Sequence, residues 1–149
     1  MTTAALISVP TAPRHRWLRS VGAVVGGLAA NAVLASATDM LLVATAVFPP
    51  LRDFGNATVF SDSMLALALA YRTLYGVLGC YITARLAPVR PMAHAVALGC
   101  VGTVIGVVGA AATWDAWTHW YSLAIIAVTL PSSWLGARLY LSKIILKTM

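Results

Sequence analysis

The chain is predicted to be all-α, a transmembrane four-helix bundle with both termini in the cytoplasm. Three observations predict it. Of its 149 residues, 60% are hydrophobic and only 9% charged, and the mean hydropathy is +0.87. A soluble domain carries about 25% charged residues, so a chain this apolar could not cover a water-facing surface. Four stretches reach the roughly 20 apolar residues needed to cross a hydrocarbon core about 30 Å thick. They run over 21–48, 63–86, 92–113 and 120–141, and together they leave no room for a soluble domain. Finally, the basic residues are segregated. Arg14, Arg16, Arg19, Arg85, Arg90, Arg138, Lys143 and Lys147 all fall on one side of four alternating spans. The positive-inside rule makes that side cytoplasmic.

The first 16 residues read as a disordered tail with a basic end, followed by one transmembrane domain over 17–149. The first span follows a basic flank, as a signal peptide would. However, its apolar stretch is about twice the length of a signal h-region and carries Asn31 and Asp39. At 1.5 Å per residue it could span about 40 Å, so it is expected to tilt or to project its last turn. Pro49 and Pro50 end it. Ser61, Asp62 and Ser63 suit the start of the second helix, where a side-chain oxygen caps free N–H groups and an acid favours the dipole. Pro91 suits the first turn of the third, where no N–H is missed. Pro131 lies inside the fourth, where a kink is expected, with Ser132 and Ser133 able to satisfy the backbone. Trp17, Trp114, Trp117, Trp120, Tyr121 and Tyr140 fall near span ends, as an interfacial aromatic belt requires.

Helices in lipid associate through close contact of small residues. The third span carries Gly99, Gly102, Gly106 and Gly109 on one face, and the second carries Gly76 and Gly79. Gly22 and Gly26 stand in the first. Packing within one bundle is the plain reading; a homodimer face on the third helix is the other. The ends of helices two and four echo one another, with an aromatic and an arginine in Tyr81–Leu86 and again in Trp134–Leu139. A two-hairpin repeat would give this, as would two helices meeting the same interface.

Asp39 and Arg72 are the two charged residues well inside the spans. Each alone costs about 2.5–3.5 kcal/mol near the bilayer centre on insertion scales. By rise per residue they lie roughly 7 Å and 3 Å outward of the midplane, on neighbouring antiparallel helices. A paired Asp39–Arg72 clamp is therefore expected, within a polar cluster that also takes in Asn31, Ser36, Thr38, Tyr71 and Tyr75. Such a cluster can lock helix pairing, relay protons or hold a charged solute, or meet another subunit. Cys80 and Cys100 read as small core residues on the reducing side. His94 reads as a headgroup neighbour. Asp115 and His119 could pair on a short interfacial helix, but two ligands do not make a metal site. No catalytic residue, metal or cofactor is expected, nor any nucleic-acid partner. The expected partners are the lipid bilayer and a homo-oligomer or larger membrane complex.

Several runs carry a resemblance: Thr38-Asp39, Val47-Phe48-Pro49-Pro50, Ala70-Tyr71-Arg72, and above all Tyr81 to Pro88 followed by Arg90-Pro91-Met92 and His94-Ala95. Over about 21–139 the chain resembles a group of small, uncharacterised bacterial inner-membrane proteins with four spans. The resemblance implies a bacterial inner (cytoplasmic) membrane and supplies no activity. In size and span number the chain is also similar to the small multidrug resistance transporters. It departs from them because its acid is Asp39, late in the first span, faced by Arg72, and because its one-sided charge opposes dual topology. The functional expectation is a small, non-enzymatic, accessory or structural membrane protein. The alternative is an oligomeric small-solute or proton-coupled transporter built on the Asp39/Arg72 cluster.

Overall fold

The computed structural model describes residues 14–115 and 117–148, with side chains at 14–16, 57, 147 and 148 outside the description. The first 13 residues of the expected tail lie outside the described residues. Four helices follow one another: α1 (Arg14–Ala44), α2 (Asp62–Leu86), α3 (Pro91–Ala112) and α4 (His119–Thr148). Each is long and apolar enough to cross a membrane. Large apolar side chains on all four point away from the bundle: Val33 is 66% exposed, Leu74 67%, Val104 62% and Leu123 55%. Apolar surface of that extent needs a non-aqueous partner.

The boundaries differ from the expected spans mainly at α1 and α4. The expected tail reached Arg16, but α1 already begins at Arg14. It stops at Ala44, four residues short of the expected end. The reason is local. Ala46 takes a left-handed conformation (φ 55°). Its N–H bonds the Val43 carbonyl, and the Val47 N–H bonds the Leu42 carbonyl. This is a Schellman cap, with alanine where glycine usually stands. It turns the chain back, so that Phe48 is buried in the bundle and not carried outward on a last helical turn. Pro49 and Pro50 follow, and two short 3₁₀ turns, Leu51–Asp53 and Ala57–Val59, lead to α2. Ser61 Oγ caps α2 by accepting from the Met64 N–H at 3.4 Å. The link 87–90 is too short for anything but an antiparallel return, and Pro91 opens α3 as expected. Helix α4 passes unbroken through Pro131. There Ser132 Oγ donates to the Val128 carbonyl and Ser133 Oγ to the Leu130 carbonyl.

Helix α2 lies between α1 and α4, and α4 also packs on α3, while α1 and α3 meet more briefly. Small residues set these contacts. A Cβ at Gly79 would stand 2.7 Å from the Gly27 carbonyl oxygen, and one at Gly27 would strike Thr83 and the Gly79 carbonyl. Thr83, fully buried, donates from Oγ1 to the Ala23 carbonyl at 3.1 Å, tying α2 to α1. Gly136 brings α4 against Val77, Cys80 and Tyr81 of α2. The half of the bundle nearest Arg19, Arg85, Arg90, Arg138 and Lys143 is thus closed. Ala84, Ala95 and Ala137 meet there with no exposure, beside Cys80 and Leu98.

The other half is looser. A Cβ at Gly99 would lie 2.6 Å from the Ser133 Cβ; at Gly102, 3.1 Å from Thr129; at Gly106, 3.2 Å from Ile126; at Gly109 it would meet nothing within 4 Å. Helices α3 and α4 therefore separate progressively away from the basic end. The space is framed by rings from the loops: Phe48, Phe54, Phe60 and Trp117 form a chain of contacts with centroids 5.3–5.8 Å apart.

Candidate functional site

The separation of α3 from α4 exposes the charged pair to the interior. Arg72 Nη2 donates to Asp39 Oδ2 at 2.6 Å. Tyr71 donates its hydroxyl to Asp39 Oδ1. Both carboxylate oxygens are therefore engaged, and the Asp39 side chain is only 16% exposed. Arg72 is 37% exposed, and its Cζ lies 5.9 Å from the centre of the Tyr71 ring. Its Nε–H is buried without a hydrogen-bond partner among the described residues. Leaving such a donor unpaired costs about 1–3 kcal/mol.

Two cavities of about 300 Å³ each flank the guanidinium. The outer one reaches from Asp39 and Arg72 to Phe48, Phe54, Phe60 and Trp117 at the aromatic end, with Tyr121 and Ser122 on its α4 wall. The inner one runs toward the basic half, past Asn31, Gly76, Gly102, Thr129 and Ser132. Arg72, Gly106 and Ile125 line both. The hydroxyls of the inner cavity are turned to their own helices: Thr73 donates to the Leu69 carbonyl, Thr129 to Ile125 and Ser132 to Val128. Their oxygens are left as acceptors, as is the buried and unpartnered Oδ1 of Asn31. The inner cavity is therefore rich in acceptors, whereas the outer one sets both members of the charged pair among apolar rings.

The expected polar cluster is only partly assembled. Asp39, Arg72 and Tyr71 form its centre. Thr38 Oγ1 and Tyr75 Oη share a 2.9 Å hydrogen bond one turn inward, so they form a second α1–α2 tie beside the pair. Asn31 lies about two turns further in, beside Gly79, and joins the site only through the inner cavity. Ser36 does not belong: it is exposed, because three residues before Asp39 the α1 surface has already turned away from α2. The α3 glycines face α4 within the chain, at Gly99, Gly102 and Gly106, so they form no free homodimer face. A Cβ at Gly109 would meet nothing within 4 Å, and Gly109 lines the outer cavity. Gly76 faces Ser132 at 3.7 Å and lines the inner cavity.

No protein-family model, curated protein or solved structure matches the chain. The site therefore stands on its geometry.

Other candidates fall elsewhere. Cys80 is buried in the core, but Cys100 is exposed on the outside of α3. His119 does not pair with Asp115. Its ring stacks on Trp114 at 4.2 Å, with Nε2 3.1 Å from the Trp114 carbonyl oxygen. Asp62 accepts from the indole N–H of Trp120 at 2.9 Å, joining the starts of α2 and α4. His94 Nδ1 lies 3.3 Å from the Arg90 carbonyl oxygen. Among the described residues no three His, Cys, Asp or Glu side chains converge as a metal site would require.

Sequence reasoning missed Gly27 and Gly136 as contact points and the loop phenylalanines as cavity walls. Gly27 had a signal: Ala23-x-x-x-Gly27 on α1 faces Gly79-x-x-x-Thr83 on α2, a small-x-x-x-small pair. The phenylalanines had none, because their inward turn depends on the Ala46 cap.

Proposed function

We propose that this is a non-enzymatic, multi-pass membrane protein that binds and passes a small solute at the Asp39–Arg72 site. The carrying observation is that the outer cavity reaches a membrane-depth arginine that bonds Asp39 through Nη2 alone. Intramembrane charges facing a bundle interior mark solute or ion sites by default. The one-sided basic residues support cytoplasmic termini, so the aromatic end faces outward and the closed half faces the cell. The resemblance to small bacterial four-span proteins supports a bacterial inner membrane. The cavities end at the packed basic half, so passage requires rearrangement there, within an oligomer or a larger membrane complex.

A second reading is favoured by the pair itself. With Arg72, Tyr71 and the Thr38–Tyr75 bond all joining α1 to α2, the charges could serve only to lock that hairpin in an accessory protein. Cysteine accessibility separates the two. In a Cys80→Ala, Cys100→Ala background, Ala110→Cys and Ser122→Cys should react with a membrane-impermeant thiol reagent added outside intact cells. Thr58→Cys in the outer loop should react as well, and Ser142→Cys only after permeabilisation. If Ala110→Cys and Ser122→Cys stay unreactive while Thr58→Cys reacts, the solute reading fails and the lock remains.

A further inference from the structure

Resting on that reading of the outer cavity, we infer that its ligand is a small organic acid: one carboxylate on an apolar, single-ring-sized body. The charge follows from which partner of the pair has capacity left. Both oxygens of Asp39 already accept a donor, and Asp39 is the more buried of the two. Arg72 has five N–H donors. Nη2 serves Asp39 and Nε is buried, which leaves Nη1 and the second Nη2–H, on the more exposed side chain of the pair. A guanidinium fork matches a carboxylate geometrically. The aspartate keeps about two of its four lone-pair sites, but it is the less exposed of the two, at 16%.

The body follows from the walls. Phe48, Phe54, Phe60 and Trp117 line the cavity on the loop side and Ile125 on the α4 side. At about 300 Å³ the cavity is about twice the 150 Å³ apolar cavity known to admit benzene. One ring or a branched chain of similar size fits with its headgroup. The Asp39 carboxylate competes with such a ligand for Arg72 and repels it. The site is therefore built for release as well as capture, as a transport site must be. Tyr71 and Tyr75 on α2 and Tyr121 on α4 are the other ionisable groups around the pair; α3 contributes Gly106, Gly109, Ala110 and Thr113.

The test is calorimetric titration of the full chain in phosphatidylcholine nanodiscs with benzoate, benzylamine and benzyl alcohol, which share a ring and differ in charge. Benzoate should bind saturably and at least ten-fold more tightly than the other two. Arg72→Gln should abolish this preference. Asp39→Asn should tighten benzoate several-fold, because the competing carboxylate is gone. Ala110→Trp, which fills the cavity and leaves the pair untouched, should lose benzoate binding with normal helicity and a monodisperse profile. It keeps the inference testable if the charge variants fail to assemble. Equal binding of all three probes, or a preference for benzylamine, overturns the inference. So does absence of benzoate binding combined with protection of Ala110→Cys from alkylation by added phosphatidylglycerol, since a lipid headgroup would then hold Arg72. Failure of the ligand class is distinguishable from failure of the solute reading. Ala110→Cys that reacts from outside without benzoate binding sinks only the former.

Discussion

Removing either charge of the Asp39–Arg72 pair should cost more than removing both. Asp39→Asn leaves the guanidinium among apolar helices with only neutral partners. Breaking a fully buried pair costs about 3–5 kcal/mol, but Arg72 is 37% exposed, which lowers the cost. A loss of about 1–3 kcal/mol is expected. Arg72→Gln leaves the more buried carboxylate with the Tyr71 hydroxyl as its remaining donor and should cost a similar amount. In the double variant a neutral amide pair replaces two charges at matched depth. The coupling recovered should be about 1–3 kcal/mol, well above the 0.3–0.5 kcal/mol within which independent sites add. The assay is reversible unfolding in mixed micelles, followed by helicity as the denaturing detergent fraction rises. Additivity of the two single variants would show that the pair carries no energetic coupling, and the clamp argument would fail with it.

Three further outcomes follow from local geometry. Ala46→Gly should stabilise the protein by about 0.5–1 kcal/mol. It relieves a left-handed alanine that costs about 1–2 kcal/mol against glycine's greater loss of chain entropy, and the detergent unfolding midpoint reads it directly. Gly27→Val should destabilise the α1–α2 contact by about 3 kcal/mol or more, because the added atoms meet Thr83 and the Gly79 carbonyl. Gly22→Ala, with open space around it, should stay within about 0.5 kcal/mol, and proteolysis of the micellar protein would rank the two. Asn31→Leu should stabilise by about 1 kcal/mol if its Oδ1 is dry; a loss of stability in the same unfolding assay would show that water in the inner cavity already satisfies that oxygen.

The architecture was legible because lipid imposes one strong constraint: a chain must bury its backbone polar groups in helices about 20 residues long. Length and the caps at Ser61 and Pro91 placed α2 and α3 to within one residue, whereas α1 begins seven residues before its expected span and α4 runs seven beyond its own. The pairing of Asp39 with Arg72 was legible because antiparallel depth is simple arithmetic. Two things were not. The end of α1 depends on Ala46 entering the left-handed region, which no residue type at that position announces; glycine would have done so. The rotation of α1 against α2, which puts Ser36 on the exposed side and Gly27 against α2, was the second. Adjacent glycines at 26 and 27 give no clue which one faces the neighbour until Ala23 and Thr83 are read together. The cavities were beyond the sequence altogether, since they arise from the gradual loss of contact along Gly99, Gly102, Gly106 and Gly109.

Under the proposed function, that gradient lets one pair serve as both lock and site. A clamp buried on all sides would be closed to any ligand, and an arginine in an open cavity would have no fixed position. Here Tyr71, Thr38 and Tyr75 hold the α1–α2 side of the pair, while the parting of α3 from α4 leaves the other side of Arg72 uncovered. The carboxylate sets the position of the guanidinium and consumes only part of its donor capacity. Closing the gap should therefore separate the two roles. A bulky side chain at Gly109, where no neighbour stands within 4 Å, would fill the outer cavity and leave the Asp39–Arg72 distance unchanged. If Gly109→Leu lost both solute access and pair coupling, the two roles would be one, and the division of the arginine between lock and ligand would be mistaken.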